Sequence, residues 1–331
     1  MLTLNATQTR THLPFPQMID AIENMFRSGC IVPQRHMHAI DPPAGRASLL
    51  LMPAWQLHGR LGVKIVTVHP DNSDRGMPAL NSTFTLFDAA DGTPLAHLDG
   101  NEITSRRTAA ASALAARFLS RRDATRLLVV GAGRVASLIP QAYQAVCDIQ
   151  QVKVWDIDPA MAQALIERLR LAGFDAEWAH DLERAVKEAD IVSCATLATQ
   201  PLIHGDWLQP GMHLDLIGSF TAAMREADET CLLRANVYID TEEALQKSGD
   251  FLAPLRDGVF RAEDVCATLE QLCKRLKRGR RDPNGITLFK AVGTALEDLA
   301  VASLAYDGAK QADCWNTQSD SLISLDREIM K

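Results

Sequence analysis

The chain has no C-x-x-C pair, no excess of positive charge and no apolar run long enough to cross a bilayer. Each absence removes a class of protein. Its seven cysteines (Cys30, Cys147, Cys194, Cys231, Cys266, Cys273 and Cys314) are odd in number and scattered, which argues against a disulfide framework or a zinc site. Thirty-four basic against 41 acidic side chains give a formal charge of -7, so nothing electrostatic suggests a nucleic-acid partner. The first residues, MLTLNATQTRTHLPF, lack a basic leader followed by an apolar stretch, so the expected compartment is the cytoplasm, away from membranes. Internal repeats and low-complexity tracts are missing as well. At 331 residues the chain exceeds the usual single core and predicts two domains, or one inserted into the other.

Residues 13–29 place Met18, Ile19, Ile22, Met25 and Phe26 at helical spacing, with Gly29 as a stop. The stretch from Ile31 to Trp55, broken at Pro42-Pro43 and Ala44-Gly45, predicts hairpin strands, with Arg46 just before the apolar run Leu49 to Met52. His36 and His38 share one strand face but have no third ligand nearby, so no metal is expected. Arg60 to Val68 reads as a strand except at Lys64, which either snorkels to an edge or lies in a pocket beside a compensating anion. Spacing alone favours snorkelling. A loop over 70–82 and strands over 83–87 and 94–99 complete a largely antiparallel sheet in the first hundred residues.

From Ile103 an alanine-rich helix is predicted, with Arg106 and Arg107 in its first turn. Free backbone N–H groups and guanidinium forks together suit a carboxylate. From Arg126 onward strands alternate with helices, the latter expected over 134–146, 159–172 and 182–188. That alternation is the signature of a parallel, doubly wound α/β sheet. Beyond Thr241 the pattern is irregular, then helical over 262–276, with a basic run, KRLKRGRR, at 274–281. The run is short and lacks interleaved aromatics, so it reads as a solvated helix end and loop. The segment from Ile286 is a strand turning into a long apolar-faced helix.

The apolar strand Leu127 to Val130 enters Gly131-Ala132-Gly133-Arg134-Val135-Ala136, and a second strand ends at Asp156. In that context G-x-G-x-x-A predicts a dinucleotide site: Gly131 for the tight turn, Gly133 for clearance at the pyrophosphate, Ala136 for close helix packing. The Asp156 carboxylate can accept both ribose hydroxyls and repels a 2′-phosphate, and Ile157 and Asp158 follow it instead of a cation, so NAD(H) is favoured over NADP(H). The plainer alternative is that Asp156 caps the next helix, a task for which Asp158 is better placed.

Several separated motifs, in order, resemble the ornithine cyclodeaminase and mu-crystallin family. They are Arg46 with Met52-Pro53-Ala54, Gly62-Val63-Lys64, Leu86-Phe87-Asp88 through Gly92, Asp99-Gly100 with Ile103-Thr104, Arg107-Thr108-Ala109-Ala110, the glycine turn, and Phe289-Lys290 through Gly293 with Glu297-Asp298. The resemblance implies a homodimer in which a Rossmann-type domain (116–295) is inserted into an α+β substrate-binding and dimerisation domain (1–115 and 296–331). It implies that Arg46, Lys64 and Arg107 form the substrate-carboxylate and catalytic cluster, against the snorkelling expectation for Lys64. Arg106 is then a neighbour on the helix surface. By the same resemblance Thr108 donates to a cofactor phosphate, Ser219 lies at the cofactor, and Lys290 to Gly293 approach the nicotinamide.

Where cyclodeaminases of this family carry a catalytic aspartate, the chain has Phe220, which cannot do general-base work. The segment GSFTAAMREAD instead resembles members that reduce cyclic ketimines. The expected reaction is NAD(P)H-dependent reduction of Δ1-pyrroline-2-carboxylate or Δ1-piperideine-2-carboxylate to L-proline or L-pipecolate. The alternatives are an alanine- or opine-type dehydrogenase, ornithine cyclodeaminase, and a crystallin-like protein that only binds a dinucleotide or hormone.

Overall fold

The computed structural model describes the backbone of residues 1–40 and 47–329, and their side chains except at 73–74 and 313–329. The chain divides into two compact units. One comprises Met1–Ala21, Cys30–Thr104 and Asp298–Lys331; the other comprises Ile22–Gly29 and Ser105–Glu297. These divisions fall inside the continuous helices Gly100–Leu119 and Ala295–Ile329 rather than at 115/116 and 295/296. Uninterrupted helical sequence carries no turn residue to mark such a change.

The first unit holds strands β1 (Leu2–Leu4), β2 (His36–Ile40), β3 (Ala47–Trp55), β4 (Arg60–Val68), β5 (Leu80–Asp88) and β6 (Pro94–Asp99), in the order β1-β6-β5-β4-β3-β2. All neighbours are antiparallel except β1 and β6. Period-two alternation turns Gly62, Lys64 and Val66 of β4 to the buried face, alongside Phe84 and Leu86 of β5 and Ala96 and Leu98 of β6. Gly62 is required there, because a Cβ would come within 2.6 Å of the Phe84 ring.

The second unit holds β7 (Arg126–Val130), β8 (Gln151–Trp155), β9 (Asp175–Trp178), β10 (Ile191–Cys194), β11 (His213–Leu216), β12 (Ala235–Ile239), β13 (Val265–Thr268) and β14 (Ile286–Lys290). Their order is β13-β12-β14-β11-β10-β7-β8-β9, every pair parallel. Chain order reverses at β7, which has β8 on one side and β10 on the other. In such sheets ligands bind past the carboxyl ends of the strands at this switch point.

Four sequence expectations are corrected. The helix after Asp99 begins at Gly100, not near Ile103, so Arg106 and Arg107 lie in its second turn. Its first turn is capped by the Asp99 carboxylate, which accepts from Glu102 N at 2.8 Å, and the free-N–H argument for these arginines does not apply. The helix expected over 134–146 is a 3₁₀ turn (Ala136–Leu138) followed by Ile139–Gln144, with Pro140 inside the first turn. The stretch 262–276 is not one helix: Val265–Thr268 pairs with β12, and Thr268 caps a short helix, Leu269–Cys273, beyond which Arg275 turns left-handed with φ 59. Helices Ala244–Lys247 and Gly249–Arg256 lie in the stretch read as irregular.

The basic run is partly built into the second unit. Arg280 donates to the carbonyls of Leu119 (2.7 Å), Met212 (2.9 Å) and Gly285, and burial brings its pKa down to about 10. Arg275 pairs with Glu23 at 2.9 Å and lies over the Phe118 ring. No described helix is long and apolar enough to cross a membrane.

Candidate active site

In the first unit, Lys64 does not snorkel. It is 1 % exposed, with Met52 and Phe84 opposite it in the ladder, and its Nζ lies 2.6 Å from Asp298 Oδ2. An ammonium at this depth keeps its charge only beside an anion, and Asp298, itself fully buried, supplies one. Arg46 lies outside the described residues. His36 and His38 are exposed on β2, and among the described residues no group of three or more His, Cys, Asp or Glu could hold a metal ion.

In the second unit, Arg107 is 7 % exposed and donates from Nη1 to Glu297 Oε2 at 2.7 Å. Its guanidinium occupies the space beside Gly293 (φ 77): a Cβ there would lie 2.6 Å from Nη2 and 2.8 Å from Cζ. That backbone is held by Asp240, whose Oδ2 accepts from Val292 N (2.7 Å) and Gly293 N (2.6 Å). Burial raises the pKa of Asp240, while these backbone donors and the charge of Arg107 oppose the rise. Arg106 is buried too, not a surface neighbour, and Thr108 follows on the same helix, also buried.

At the switch point, Gly131 has φ 107 and touches the next loop so closely that a Cβ would lie 2.6 Å from Ala195 O. At Gly133 the place of a Cβ is open, and Gly133 and Arg134 are exposed, with Val135 partly so and Ala136 buried. Asp156 accepts from Ala132 N (2.7 Å) and from Asp158 N (2.8 Å), one bond to each oxygen. A carboxylate offers about four acceptor positions, so capacity for ribose hydroxyls remains. Asp158, not Asp156, caps Pro159–Leu171, through Ala160 N. The turn, the clearance and the acid together fit a dinucleotide.

Two residues named at the cofactor turn their side chains inward. Ser219 Oγ donates to Met224 O at 2.5 Å and meets Ser248 Oγ at 3.0 Å. Lys290 Nζ is fully buried, 3.3 Å from Asp250 Oδ2. Phe220 is 46 % exposed. Sequence reasoning assigned no role to Asp240 or Glu226; an acid just past an apolar parallel strand, as Asp240 follows Ile239, was the available signal for the first.

A sequence model of the ornithine cyclodeaminase/mu-crystallin family matches residues 1–313. The Δ1-pyrroline-2-carboxylate reductase of Paracoccus denitrificans is 40% identical over 288 residues, 86% of this chain and 90% of that protein. The fold superposes on Thermococcus litoralis Δ1-pyrroline-2-carboxylate reductase, solved with NADH and L-proline, at TM-score 0.89 and 30% identity, covering 95% of this chain and 98% of the other. An archaeal alanine dehydrogenase dimer with bound NAD gives TM-score 0.87 and 28% identity over 95% and 97%. With Lys64 and Arg107 each buried against an acid and the glycine turn at the switch point, the matches extend over both units, and the chain belongs to the ornithine cyclodeaminase/mu-crystallin family.

Proposed function

We propose that this chain is an NADH-dependent reductase of a cyclic ketimine carboxylate, taking Δ1-pyrroline-2-carboxylate, Δ1-piperideine-2-carboxylate or both to L-proline and L-pipecolate. The 40% identity to a Δ1-pyrroline-2-carboxylate reductase, spread over most of both chains, carries this reading. Bound NADH supplies the hydride for the ring imine carbon. The remaining tasks fall to side chains. Arg107, with a planar fork fixed by Glu297, holds the substrate carboxylate, and Arg46 is its expected second clamp. Lys64 either shares that carboxylate or protonates the imine nitrogen; Asp298 keeps its ammonium charged for both roles.

Gly131, Ala132, Gly133, Arg134 and Val135 receive the pyrophosphate with Thr108, and Asp156 takes the ribose, which sets NADH above NADPH. Ser219, Lys290 and Gly293 contribute through backbone, given where the two side chains point. Phe220 offers no carboxylate for cyclodeamination. A buried cation with its counter-ion is more than a hormone binder needs. The likeness to alanine dehydrogenase favours a second reading, in which the imine forms from a keto acid and an amine. The working form is a homodimer in the cytoplasm.

The test is initial rates with both cyclic imines, each with NADH and NADPH, beside L-alanine and L-ornithine controls. Imine-dependent NADH oxidation is expected, with Lys64→Met lowering kcat/KM by about 10²–10⁴-fold. Ordinary turnover by that variant, or ammonia from ornithine without net cofactor use, would overturn the proposal. A strong preference for NADPH would remove Asp156 from the ribose.

A further inference from the structure

Glu226 is fully buried, and both its oxygens are spent on the ends of two central strands. Oε1 accepts from Thr196 N and Thr196 Oγ1, each at 2.8 Å, and Oε2 accepts from Gly218 N at 2.7 Å. Thr196 lies two residues past β10, and Gly218 two residues past β11. Gly218 has no room for a Cβ, which would overlap the Thr196 carbonyl and the Glu226 carboxylate. The residue before Thr196, Ala195, presents its carbonyl to Gly131 at the contact already described. A continuous path of direct contacts thus runs from Glu226 through the β10 loop to the glycine turn.

The charges around this group are unbalanced. Lys290 on β14 lies 3.3 Å from Asp250 Oδ2 and 4.0 Å from Glu226 Oε2, so one cation serves two buried carboxylates. Asp250, on Gly249–Arg256, is otherwise taken up by Glu226 N (2.8 Å) and Ala227 N (3.1 Å). Asp215 on β11 and the Cys194 thiol on β10 complete the titratable surroundings. Asp215 is held by Ser112, Tyr143 and Ser193 hydroxyls at 2.6–3.0 Å. What binds Glu226 in place is therefore chiefly three donors on two loops, with Lys290 contributing at longer range.

We propose that Glu226 is a positioning residue for the dinucleotide: its ionised carboxylate holds the β10 loop against the glycine turn and ties the β11 loop to it. This rests on the reading of Gly131 to Ala136 as the NADH site. The ionised form accepts from all three donors. A protonated acid must turn its O–H toward one of them, losing a backbone N–H anchor or reversing the bond to Thr196 Oγ1. Burial, aided by Asp250 and opposed by Lys290, pushes the Glu226 pKa up to about 7, so the anchor is complete above neutrality and lost as pH falls through it.

The experiment is a fluorescence titration of NADH at about pH 6 and about pH 8, with kcat and KM for Δ1-pyrroline-2-carboxylate reduction, on the wild type, Glu226→Gln and Thr196→Val. If only the ionised form is competent, wild-type Kd falls about tenfold from the lower to the higher pH. Glu226→Gln should hold the weak Kd at both, with KM for NADH raised and kcat at saturating NADH changed by less than about threefold. Thr196→Val, which keeps its backbone donor, should weaken binding by a few-fold, and decides the matter should the glutamine variant not fold. Wild-type Kd and pH dependence in a folded variant, beside normal wild-type turnover, overturn the role of Glu226 alone. Failure of the wild type to bind NADH overturns the site reading and this inference together.

Discussion

Replacing Gly293 with alanine tests whether the Arg107 guanidinium must sit where it does. Two costs arise at once. A φ of 77 is left-handed backbone, which costs a side-chain-bearing residue about 1–2 kcal/mol. The new methyl would also stand 2.6–2.8 Å from Nη2 and Cζ, so the guanidinium must retreat by roughly 1 Å to reach ordinary contact. Nη1 is tethered to Glu297 at 2.7 Å, and giving up a charge-assisted bond of that kind costs about 1.5–3 kcal/mol. Together these predict a loss of about 2.5–5 kcal/mol of stability once the fork is pushed off Glu297. The same displacement lowers kcat/KM for the imine by about 100-fold, since a 1 Å misplacement of a positioning group has that effect. The assay is a double-mutant cycle of Gly293→Ala with Arg107→Ala, following urea stability and kcat/KM. The steric part vanishes once the guanidinium is gone, so the pair must be less harmful than the two effects added. Strict additivity would refute the argument.

Two further outcomes follow from buried charge. Asp298→Asn leaves the Lys64 ammonium beside a neutral amide and should cost about 3–5 kcal/mol. Pairing Lys64→Met with Asp298→Leu should recover most of it, as judged by thermal unfolding; a double variant as unstable as Asp298→Asn would contradict this. His213 is fully buried on β11, with Nδ1 3.0 Å from Thr287 Oγ1, and burial lowers its pKa to about 3 from an ordinary 6.5. Between those values the unfolded chain takes up a proton that the native state refuses, so stability is lost as pH falls, by about 1.4 kcal/mol per unit. Asp215, raised to about 6 by burial, acts with the opposite sign below that pH. His213→Gln should therefore reduce the stability lost between pH 7 and about 4.5 by about 2–3 kcal/mol. Identical urea curves across that range in both proteins would exclude this role for His213.

The parallel sheet was legible because strands such as Leu127–Val130 and Ile191–Cys194 are buried on both faces and so apolar at most positions. Val265–Thr268 was not, since its neighbours suit a helix and only pairing with β12 makes it a strand. Asp99-Gly100 reads as a turn, which hid the true start of the helix carrying Arg107. The Lys64 pocket was opaque to local pattern because its counter-ion is distant in sequence; only the resemblance of separated motifs brought it out. Ser219 and Lys290 were expected at the cofactor, yet both side chains turn inward, and no sequence rule says which way a polar side chain turns at a strand end.

The parallel pairing of β1 with β6 and the bond of Lys64 to Asp298 bear on how the chain is made. The first unit is assembled from three stretches of sequence, and the acid that neutralises its buried lysine is translated roughly 230 residues after it. At about 5–20 residues per second the ribosome leaves that cation without its partner for on the order of 12–50 s. The second unit, contiguous apart from Ile22–Gly29, waits almost as long, because β14, which lies between β12 and β11 in its sheet, is made only at Ile286–Lys290. The strands of the first sheet are thus all made early, but the charge buried in it is balanced only when the last stretch of that unit emerges.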